Sequence, residues 1–342
     1  MGIFSALLGI AIIVLTTIDL LWTAFLEGVG PLSLRIGVSI GQVLRAISKK
    51  THSRRVLAWG GLLGINAAIL TWTLLIWLGW TLIFCSWPGA IVNEMTRAQA
   101  DFFQRAYYTG YTIFTLGMGD FIPQGHLFEV LTDLCCGMGF FLFGAALSYL
   151  VPVISAATQK RQVAVCIWAL GKNPLDIIFR AWDGTDTSAL QPHFQSISQL
   201  VALLGESHMT YPLLHGFRSS KRSASAGTNI AMLDEAITVL ECGLQRGCSL
   251  NLPTLGAMRE VINEYLVTVR PIFQYVHDEG DPPLPSLEPL RELGILVVDD
   301  ETFDAAIANM EERRRLLGKL AAIEGWTWRD IWPEKIDLLA TV

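Results

Sequence analysis

Three long hydrophobic stretches dominate the chain, at residues 3–26, 56–86 and 127–153. Each is long enough to cross the roughly 30 Å hydrocarbon core of a bilayer as a helix. A shorter helical pattern at 102–114 leads into a run of alternating glycines that is too short to span. Non-helical backbone persists at membrane depth only where it is buried in protein or lines water, so this segment is predicted to be a re-entrant pore loop.

The connection at residues 31–55 is basic and amphipathic. Its apolar residues recur at helical spacing, and it contains six basic residues but no acidic one. Because such an excess of positive charge marks a cytoplasmic connection, the N-terminus is predicted to lie outside the cell. We expect the segment to lie along the membrane surface, where five side chains are candidates for binding anionic lipids: Arg45, Lys49, Lys50, Arg54 and Arg55.

The C-terminal half is predicted to be a mainly helical cytoplasmic domain. Asp299 or Asp300 is placed to cap the last helix, and 296–298 is the best strand pattern. A basic loop contains Arg218, Lys221 and Arg222. It is either solvated or in contact with an anion, which could be a lipid phosphate or an anionic ligand. Apolar residues recur at helical spacing at 161–171, 187–206, 228–245, 252–276 and 300–323.

Composition supports the assignment to a membrane. Of 342 residues, 52% are hydrophobic and 16% are charged, compared with roughly 25% charged residues in soluble domains. Residues 158–342 hold 17 lysines and arginines against 24 aspartates and glutamates. This acidic balance argues against a nucleic-acid partner.

The glycine run has the sequence Thr-Leu-Gly-Met-Gly-Asp at residues 115–120. It resembles the selectivity filter of the tetrameric potassium-channel superfamily, usually Thr-Val-Gly-Tyr-Gly-Asp. Thr112 and Pro123 match further positions of that pattern, and Tyr107 and Tyr108 occupy its paired aromatic positions. The resemblance covers about residues 56–156, since the nucleotide-binding Gly-x-Gly-x-x-Gly turn that often follows this pore unit is missing from the sequence.

The resemblance implies that backbone carbonyl groups replace the hydration shell of K⁺. A strand whose successive carbonyls face one axis needs positive φ angles, which Gly117 and Gly119 allow. The hydroxyl of Thr115 is expected to complete the innermost site. The predicted ion-binding residues are Thr115, Leu116, Gly117, Met118 and Gly119, with K⁺ held at the first four and no cofactor besides the permeant ion.

Five residues are predicted to support the filter: Tyr107, Tyr108, Tyr111, Thr112 and Asp120. Some superfamily members place a carboxyl group at the position of Tyr111, bridging to the filter aspartate. The Tyr111 hydroxyl therefore either donates to the Asp120 carboxylate or packs against a neighbouring helix.

Met118 replaces the usual tyrosine or phenylalanine of the filter. In the superfamily this side chain points away from the pore and packs against aromatic residues of the pore helix. Methionine fills space but cannot make the hydrogen bond of a phenol. The expectation is a preference for K⁺ over Na⁺ in a filter that deforms more easily than usual, with a weakly selective cation channel as the alternative.

The third span is predicted to be the inner helix, which lines the pore. Gly139 lies 24 residues after Thr115, where the superfamily often has its hinge glycine. Pro152 either kinks the helix to shape a gate or ends the span. Carrying the alignment along the helix adds the pore-lining candidates Phe143, Leu147, Val151 and Ser155.

Isolated polar residues give weaker signals. Asp19 lies either near an interface or within the membrane, paired with another helix. His208 and His215 are separated by Pro212, which interrupts a common helical face. Residues 277–279 with Asp281 form either a divalent-cation site or an exposed linker. The two prolines that follow favour the linker.

The sequence therefore predicts an all-α membrane protein, a homotetrameric, potassium-selective pore-loop channel in the plasma (inner) membrane rather than an enzyme. A potassium-uptake transporter is disfavoured because it carries four pore loops in one polypeptide. An intramembrane Gly-x-Gly-Asp aspartyl protease is disfavoured because it needs more spans and a second aspartate. The predicted domains are an N-terminal span (1–30), a basic segment (31–55), the pore domain (56–156) and the helical cytoplasmic domain (157–342).

Overall fold

The computed structural model describes residues 2–26, 28–51, 53–245, 247–248, 252–276 and 280–333. Within these residues three helices are long and apolar enough to cross a membrane: Gly2–Phe25, Arg55–Phe84 and His126–Leu170. The second of these begins as a 3₁₀ turn, Arg54–Trp59, that leads into the α-helix. The prediction of an all-α membrane protein is confirmed. The helices of this part of the chain are α1 (Gly2–Phe25), α2 (Pro31–Thr51), α3 (Gly60–Phe84), α4 (Phe102–Ile113) and α5 (His126–Leu170).

The chain folds into two compact units. The first unit comprises Met1–Ile40 and Leu62–Ile154, and the second comprises Gly41–Gly61 and Ser155–Val342. Whereas the sequence treated 31–55 as a separate segment, the structure divides it within α2. Helices α2, α3 and α5 therefore each contribute residues to both units.

Two short strands flank α4, the predicted pore helix, in the first unit. Ile91–Asn93 (β1) pairs antiparallel with Phe121–Pro123 (β2), and Val92 lies opposite Ile122. Strands of three residues are too short to show a clear alternation in the sequence. The pairing joins the chain entering α4 to the chain that leaves the glycine run.

Helix α5 is longer than predicted. It runs unbroken from His126 to Leu170, 45 residues, or about 68 Å at 1.5 Å per residue, more than twice the thickness of the hydrocarbon core. The helix continues through Pro152, so this residue does not end it, and both predicted roles of Pro152, a kink or the end of the membrane span, remain predictions. Pro152 has no N–H, so the carbonyl of Ser148 lacks its usual helical donor. The helix predicted at 161–171 is the end of α5.

One buried helix, α8, forms the centre of the second unit. All 13 of its residues are buried, and it contacts α6, α9, α12 and α13. A helix that is buried all round belongs to a core rather than to a surface. The helices of this unit are α6 (Pro174–Ala181), α7 (Gln191–Thr210), α8 (Ala226–Thr238), α9 (Leu252–Val269), α10 (Glu288–Glu292), α11 (Asp300–Ala308), α12 (Glu311–Ile323) and α13 (Trp328–Ile331).

The N-cap of α11 is the first of the two predicted aspartates. The Asp299 carboxylate accepts the backbone N–H of Thr302 at 2.8 Å, whereas Asp300 belongs to the first turn. The strand predicted at 296–298 is wrong. In the described part of this segment, Val297 forms only an isolated bridge with Leu244.

Two buried carboxylates of α8 are neutralised by arginines from other helices. Asp234 accepts hydrogen bonds from Arg259 Nη1 at 2.9 Å and from Arg313 Nη2 at 2.6 Å. Glu235 accepts one from Arg314 Nε at 3.1 Å. A buried charge is tolerated when it is paired and hydrogen-bonded. These contacts fix α8 against α9 and α12.

Asp19 is the corresponding buried carboxylate of the first unit. It is 3% exposed and accepts the backbone N–H of Leu32 at 2.8 Å, the Ser33 hydroxyl at 2.6 Å and the Trp72 indole N–H at 3.0 Å. The predicted pairing of Asp19 with other helices is confirmed, whereas its depth in the membrane remains a prediction. The side chain connects α1 to the first turn of α2 and to the middle of α3. Gly30 is required beside it, because a Cβ there would lie 2.2 Å from Asp19 Oδ1.

Asp19→Asn is expected to destabilise the first unit. The NH₂ group of the asparagine would face either the Leu32 N–H or the Ser33 and Trp72 donors, and two donors cannot bond to each other. Losing hydrogen bonds to a charged group costs about 1.5–3 kcal/mol. Thermal unfolding of the detergent-solubilised protein measures the loss. Asp304→Asn is the matched control, since Asp304 is exposed. Equal melting temperatures for the two variants would contradict the role of Asp19.

Candidate functional site

The pore helix α4 begins at a well-formed cap. The Asp101 carboxylate accepts the backbone N–H of Gln104 at 2.8 Å, and the Gln104 side chain accepts the N–H of Asp101 at 2.9 Å. This capping box satisfies two of the free N–H groups at the start of the helix. Arg105 Nη2 donates to the carbonyl of Pro88 at 2.5 Å. The start of α4 is therefore fixed on the preceding loop.

Hydrogen bonds to α3 and α5 hold the sides of α4. Trp77 Nε1 of α3 donates to the carbonyl of Ala106 at 2.7 Å, and the hydroxyls of Tyr108 and Thr132 are hydrogen-bonded at 2.5 Å. Tyr108 is buried, as expected for a filter-support residue. Thr112 donates back to the carbonyl of Tyr108 at 2.8 Å. Both faces of α4 are thus attached to spanning helices.

Gly139 lets the end of α4 approach α5. A Cβ at this position would lie 2.1 Å from the carbonyl oxygen of Ile113, the last residue of α4. A backbone atom cannot move away as a flexible side chain can, so the contact requires glycine. Close packing against α4 therefore explains the glycine at position 139. Its assignment as a hinge remains a prediction.

The filter segment leaves α4 through a strained residue. Gly117 and Gly119 have φ angles of 56° and 81°, and the predicted need for positive φ at these glycines is confirmed. Thr115 also has a positive φ of 57°, which sequence reasoning missed. This conformation is unfavourable for a β-branched residue. It is held by two hydrogen bonds: Thr115 N–H donates to the Thr112 carbonyl at 3.0 Å, and Leu116 N–H to the Tyr111 carbonyl at 2.8 Å.

The carbonyl groups of the filter segment are free. Among the residues that the structure describes, none donates a hydrogen bond to the carbonyl oxygens of residues 115–119. Backbone carbonyls are strong acceptors that are usually paired when buried. Residues 115–119 are exposed in the single chain, so their carbonyl oxygens are open to solvent or to another ligand.

Tyr111 supports the end of the filter through an acceptor that was not predicted. Its hydroxyl donates to the backbone carbonyl of Phe121 at 2.6 Å, so the predicted bond to the Asp120 side chain is wrong. The backbone carbonyl of Asp120 accepts the N–H of Glu94 at 3.1 Å. Tyr107 lies with its ring centroid 5.2 Å from that of Tyr111, edge to face. The aromatic residues therefore connect α4 to β2.

The filter side chains are uncovered in a single chain. Met118 is 62% exposed and Leu116 is 66% exposed. Within one chain Met118 is therefore not covered by aromatic residues, and its packing against pore-helix aromatic residues remains a prediction. Apolar side chains at the surface of a chain mark contacts with lipid or with other proteins.

The predicted pore-lining residues share one exposed face of α5. Phe143, Leu147, Val151 and Ser155 recur every four residues and are all exposed. The opposite face is buried and includes Tyr149, which is 1% exposed. The structure thus brings the four candidates together on one side of the helix and packs the other side within the chain.

Comparison with known proteins assigns this arrangement to a family. A model of the family described as "Ion channel" matches residues 70–156, and a Bacillus subtilis (strain 168) protein named uncharacterized membrane protein YdjJ is 32% identical over 312 residues, which is 90% of this chain and 90% of that protein. The chain belongs to the same family as this membrane protein, and its residues 70–156 match the ion-channel model. The match at 70–156 confirms that the resemblance is limited to the pore segment of the channel. No solved structure matches the channel significantly.

The second unit of the channel contains a buried histidine pair. The rings of His208 and His215 lie 4.5 Å apart, although Pro212 separates them in sequence. His208 Nδ1 is hydrogen-bonded to the Leu204 carbonyl at 2.9 Å. Burial, together with nearby Lys160, lowers the pKa of His208 to about 3. Both imidazoles are therefore neutral at physiological pH, and the pair arises from the fold rather than from a helical face.

The basic loop at 218–222 of the channel is not simply solvated. Arg222 Nε donates to the Asp330 carbonyl at 2.9 Å, and its guanidinium lies 5.2 Å above the ring of Trp168. Residues 277–279 of the possible divalent-cation site lie outside the described residues, and Asp281 pairs with Arg315. No group of three His, Cys, Asp or Glu residues in the described part of the channel has the spacing of a metal site.

The basic residues of the 41–61 segment differ in exposure. Arg45 is partly buried, whereas Lys50 and Arg55 are exposed. The side chains of Lys49 and Arg54 lie outside the described part of the channel. Binding of anionic lipids by the exposed pair remains a prediction.

Gly139→Ala is expected to reduce ion flux strongly. The added Cβ overlaps the Ile113 carbonyl, so α4 must move, and overpacking of this kind costs about 1–3 kcal/mol. Gly137→Ala is the matched control, because a Cβ at Gly137 meets nothing within 4 Å in the chain. Flux into liposomes and thermal unfolding are measured for both variants. Equal flux would show that α4 does not depend on this contact.

Tyr111→Phe is expected to speed inactivation or loosen ion selectivity. The substitution removes one oxygen and leaves the Phe121 carbonyl without its donor, at a cost of about 0.5–1.5 kcal/mol. Tyr107→Phe is the matched control, because it removes the same atom from a ring whose hydroxyl makes no hydrogen bond in the described structure. Single-channel recording of both variants tests the brace, and wild-type behaviour of Tyr111→Phe would reduce Tyr111 to a packing residue.

Proposed function

We propose that the protein is a potassium-selective channel that conducts K⁺ passively through a filter formed by residues 115–119. The observation that carries this proposal is the row of carbonyl groups without internal donors, held at positive φ by Gly117 and Gly119. Carbonyl rings of this kind replace the hydration shell of K⁺. The Thr115 hydroxyl adds an oxygen at the inner end, and the C-terminal dipole of α4 favours a cation nearby.

A homotetramer is proposed because one chain contributes only one pore loop. A single filter strand leaves its carbonyls and its Leu116 and Met118 side chains uncovered. Four copies around an axis supply rings of carbonyls and can cover the exposed filter side chains. The exposed face of α5 that includes Phe143 and Val151 is then the inner wall of the pore, with Pro152 near its narrow end.

Selectivity depends on Met118, and a weakly selective cation channel is the second candidate. The phenol of the usual tyrosine braces the filter from behind, and methionine has no donor to replace it. The Tyr111 bond to the Phe121 carbonyl supports the neighbouring segment instead. The proposal is a preference for K⁺ over Na⁺ in a filter that deforms more easily than usual.

An aspartyl protease is a poor fit to the two candidate carboxylates. Asp19 is occupied by donors from Leu32, Ser33 and Trp72, so it is not available to activate water. Asp120 follows the filter beside β1 and β2. The proposed setting is a plasma (inner) membrane with the N-terminus outside and the second unit in the cytoplasm, following the basic residues of α2.

Gly117→Ala is expected to abolish K⁺ flux in proteoliposomes. An L-residue at φ 56° is strained by roughly 1–2 kcal/mol, and relief of that strain turns the carbonyls away from the axis. Gly256→Ala is the control, since this glycine lies within α9, where alanine meets nothing within 4 Å. Selective flux that survives in Gly117→Ala would refute the filter assignment.

The reversal potential separates the two candidate functions. Under opposed K⁺ and Na⁺ gradients, a selective filter gives a potential that follows the K⁺ ratio. A potential that does not respond to the ratio of K⁺ to Na⁺ identifies the weakly selective channel.

A further inference from the structure

Three cationic side chains converge in the second unit at the junction of α2, α3 and α5. Lys160 of α5 donates through Nζ to the carbonyl of Phe217 at 2.9 Å, and Arg218 is the next residue. The carbonyl of the preceding Gly216 lies 2.9 Å from the position of a Cβ on Gly60, which also borders Leu44. Arg45 follows Leu44 on α2. These contacts bring Arg45, Lys160 and Arg218 into one neighbourhood.

The acid that the described residues place beside Lys160 is Glu324. Glu324 is bonded to Lys160 at 2.9 Å and also accepts a hydrogen bond from the Ser225 hydroxyl. Arg218 has a buried Nε, and its guanidinium makes no hydrogen bond or ion pair within the described residues. Burial and the charge of Arg45 lower the pKa of Arg218 to about 10, and the charge of Glu324 acts in the opposite direction, so Arg218 remains charged.

Other nearby groups cannot neutralise Arg218. Arg222 is itself a cation and is occupied by the Asp330 carbonyl and Trp168. His208 and His215 are neutral and carry no negative charge. Burying a guanidinium without a partner is costly. An anion supplied from outside the chain would remove this cost.

We propose that Arg218, with Arg45 beside it, binds a phosphate group. The planar guanidinium fork matches two phosphate oxygens, and such bonds are stronger than those between neutral groups. Arg218 is only partly buried, so the site is open to an incoming ligand. Two sources share this chemistry: the headgroup of an anionic phospholipid and a phosphate-bearing solute. The position beside α2, directly before the spanning part of α3, is compatible with either source.

The site also has a route to the rest of the channel. The ring of Phe217 lies 2.3 Å from the position of a Cβ on Gly61 at the start of α3, and its carbonyl holds Lys160 of α5. A phosphate bound at Arg218 therefore stabilises the residue that joins α3 to α5. Ligand binding to this folded arrangement raises its stability by mass action.

The test uses the full chain, delipidated in a neutral detergent, with thermal unfolding as the readout. Inorganic phosphate is titrated against chloride at equal ionic strength, and phosphatidylglycerol is titrated against phosphatidylcholine. The proposal expects phosphate or phosphatidylglycerol to raise the melting temperature. Arg218→Gln should weaken this binding roughly tenfold or more. Arg161→Gln, which removes an exposed arginine adjacent to Lys160, should leave it unchanged.

The outcomes distinguish the sources and can overturn the proposal. A shift with phosphatidylglycerol alone identifies a lipid headgroup, whereas saturation by inorganic phosphate identifies a solute. Without ligand, Arg218→Gln should be at least as stable as the wild type, because it removes an unpaired charge. A less stable unliganded variant, or equal ligand shifts in Arg218→Gln and Arg161→Gln, would refute the phosphate site.

Discussion

The first unit is arranged around a strand that cannot stabilise itself. Residues 115–119 accept no hydrogen bonds through their carbonyls within the described chain, so the segment lacks the ladder that holds an ordinary strand. Its conformation is imposed from both ends. At the inner end Leu116 N–H bonds to the carbonyl of Tyr111, and at the outer end the Tyr111 hydroxyl bonds to Phe121. One residue of α4 thus anchors both ends of the filter.

Because residues 115–119 are held through α4, this helix needs many contacts with the rest of the first unit. A helix of 12 residues is only marginally stable alone, yet it must hold strained backbone at Thr115. The capping box at Asp101, the indole bond from Trp77 and the close contact at Gly139 fix its start, side and end. The strain at Thr115 is tolerated because the surrounding structure over-determines it.

The sequence reveals those features whose cause is local. Periodicity locates the spanning helices, and the residue type at Gly117 and Gly119 is enough to predict positive φ. Features that need a distant partner were missed. The acceptor of Tyr111 lies ten residues away on β2, and the acid that binds Lys160 is Glu324. The two histidines of the second unit meet only because the chain turns back between them.

In both units, buried carboxylates are compensated by groups that lie far away in the sequence. Asp19 interrupts one hydrophobic stretch and Asp234, next to Glu235, interrupts another, and each aspartate is compensated by donors from other helices. Spacing along one helix gives no sign of these partners. Arg218 is partly buried, yet no hydrogen-bond or ion-pair partner for it is found among the described residues. In this it differs from Arg222, Arg259 and Arg314 of the same unit.

Helix α5 shows how a local signal can mislead. Proline lacks an N–H and usually ends a helix, but the apolar residues on both sides of Pro152 continue at helical spacing and are packed. Tyr149 and Val153 are almost fully buried, so tertiary contacts keep the backbone helical despite the missing bond. The helix is weakest at this turn, and bending of α5 is therefore expected there, between its contact at Gly139 and its ion pair at Lys160.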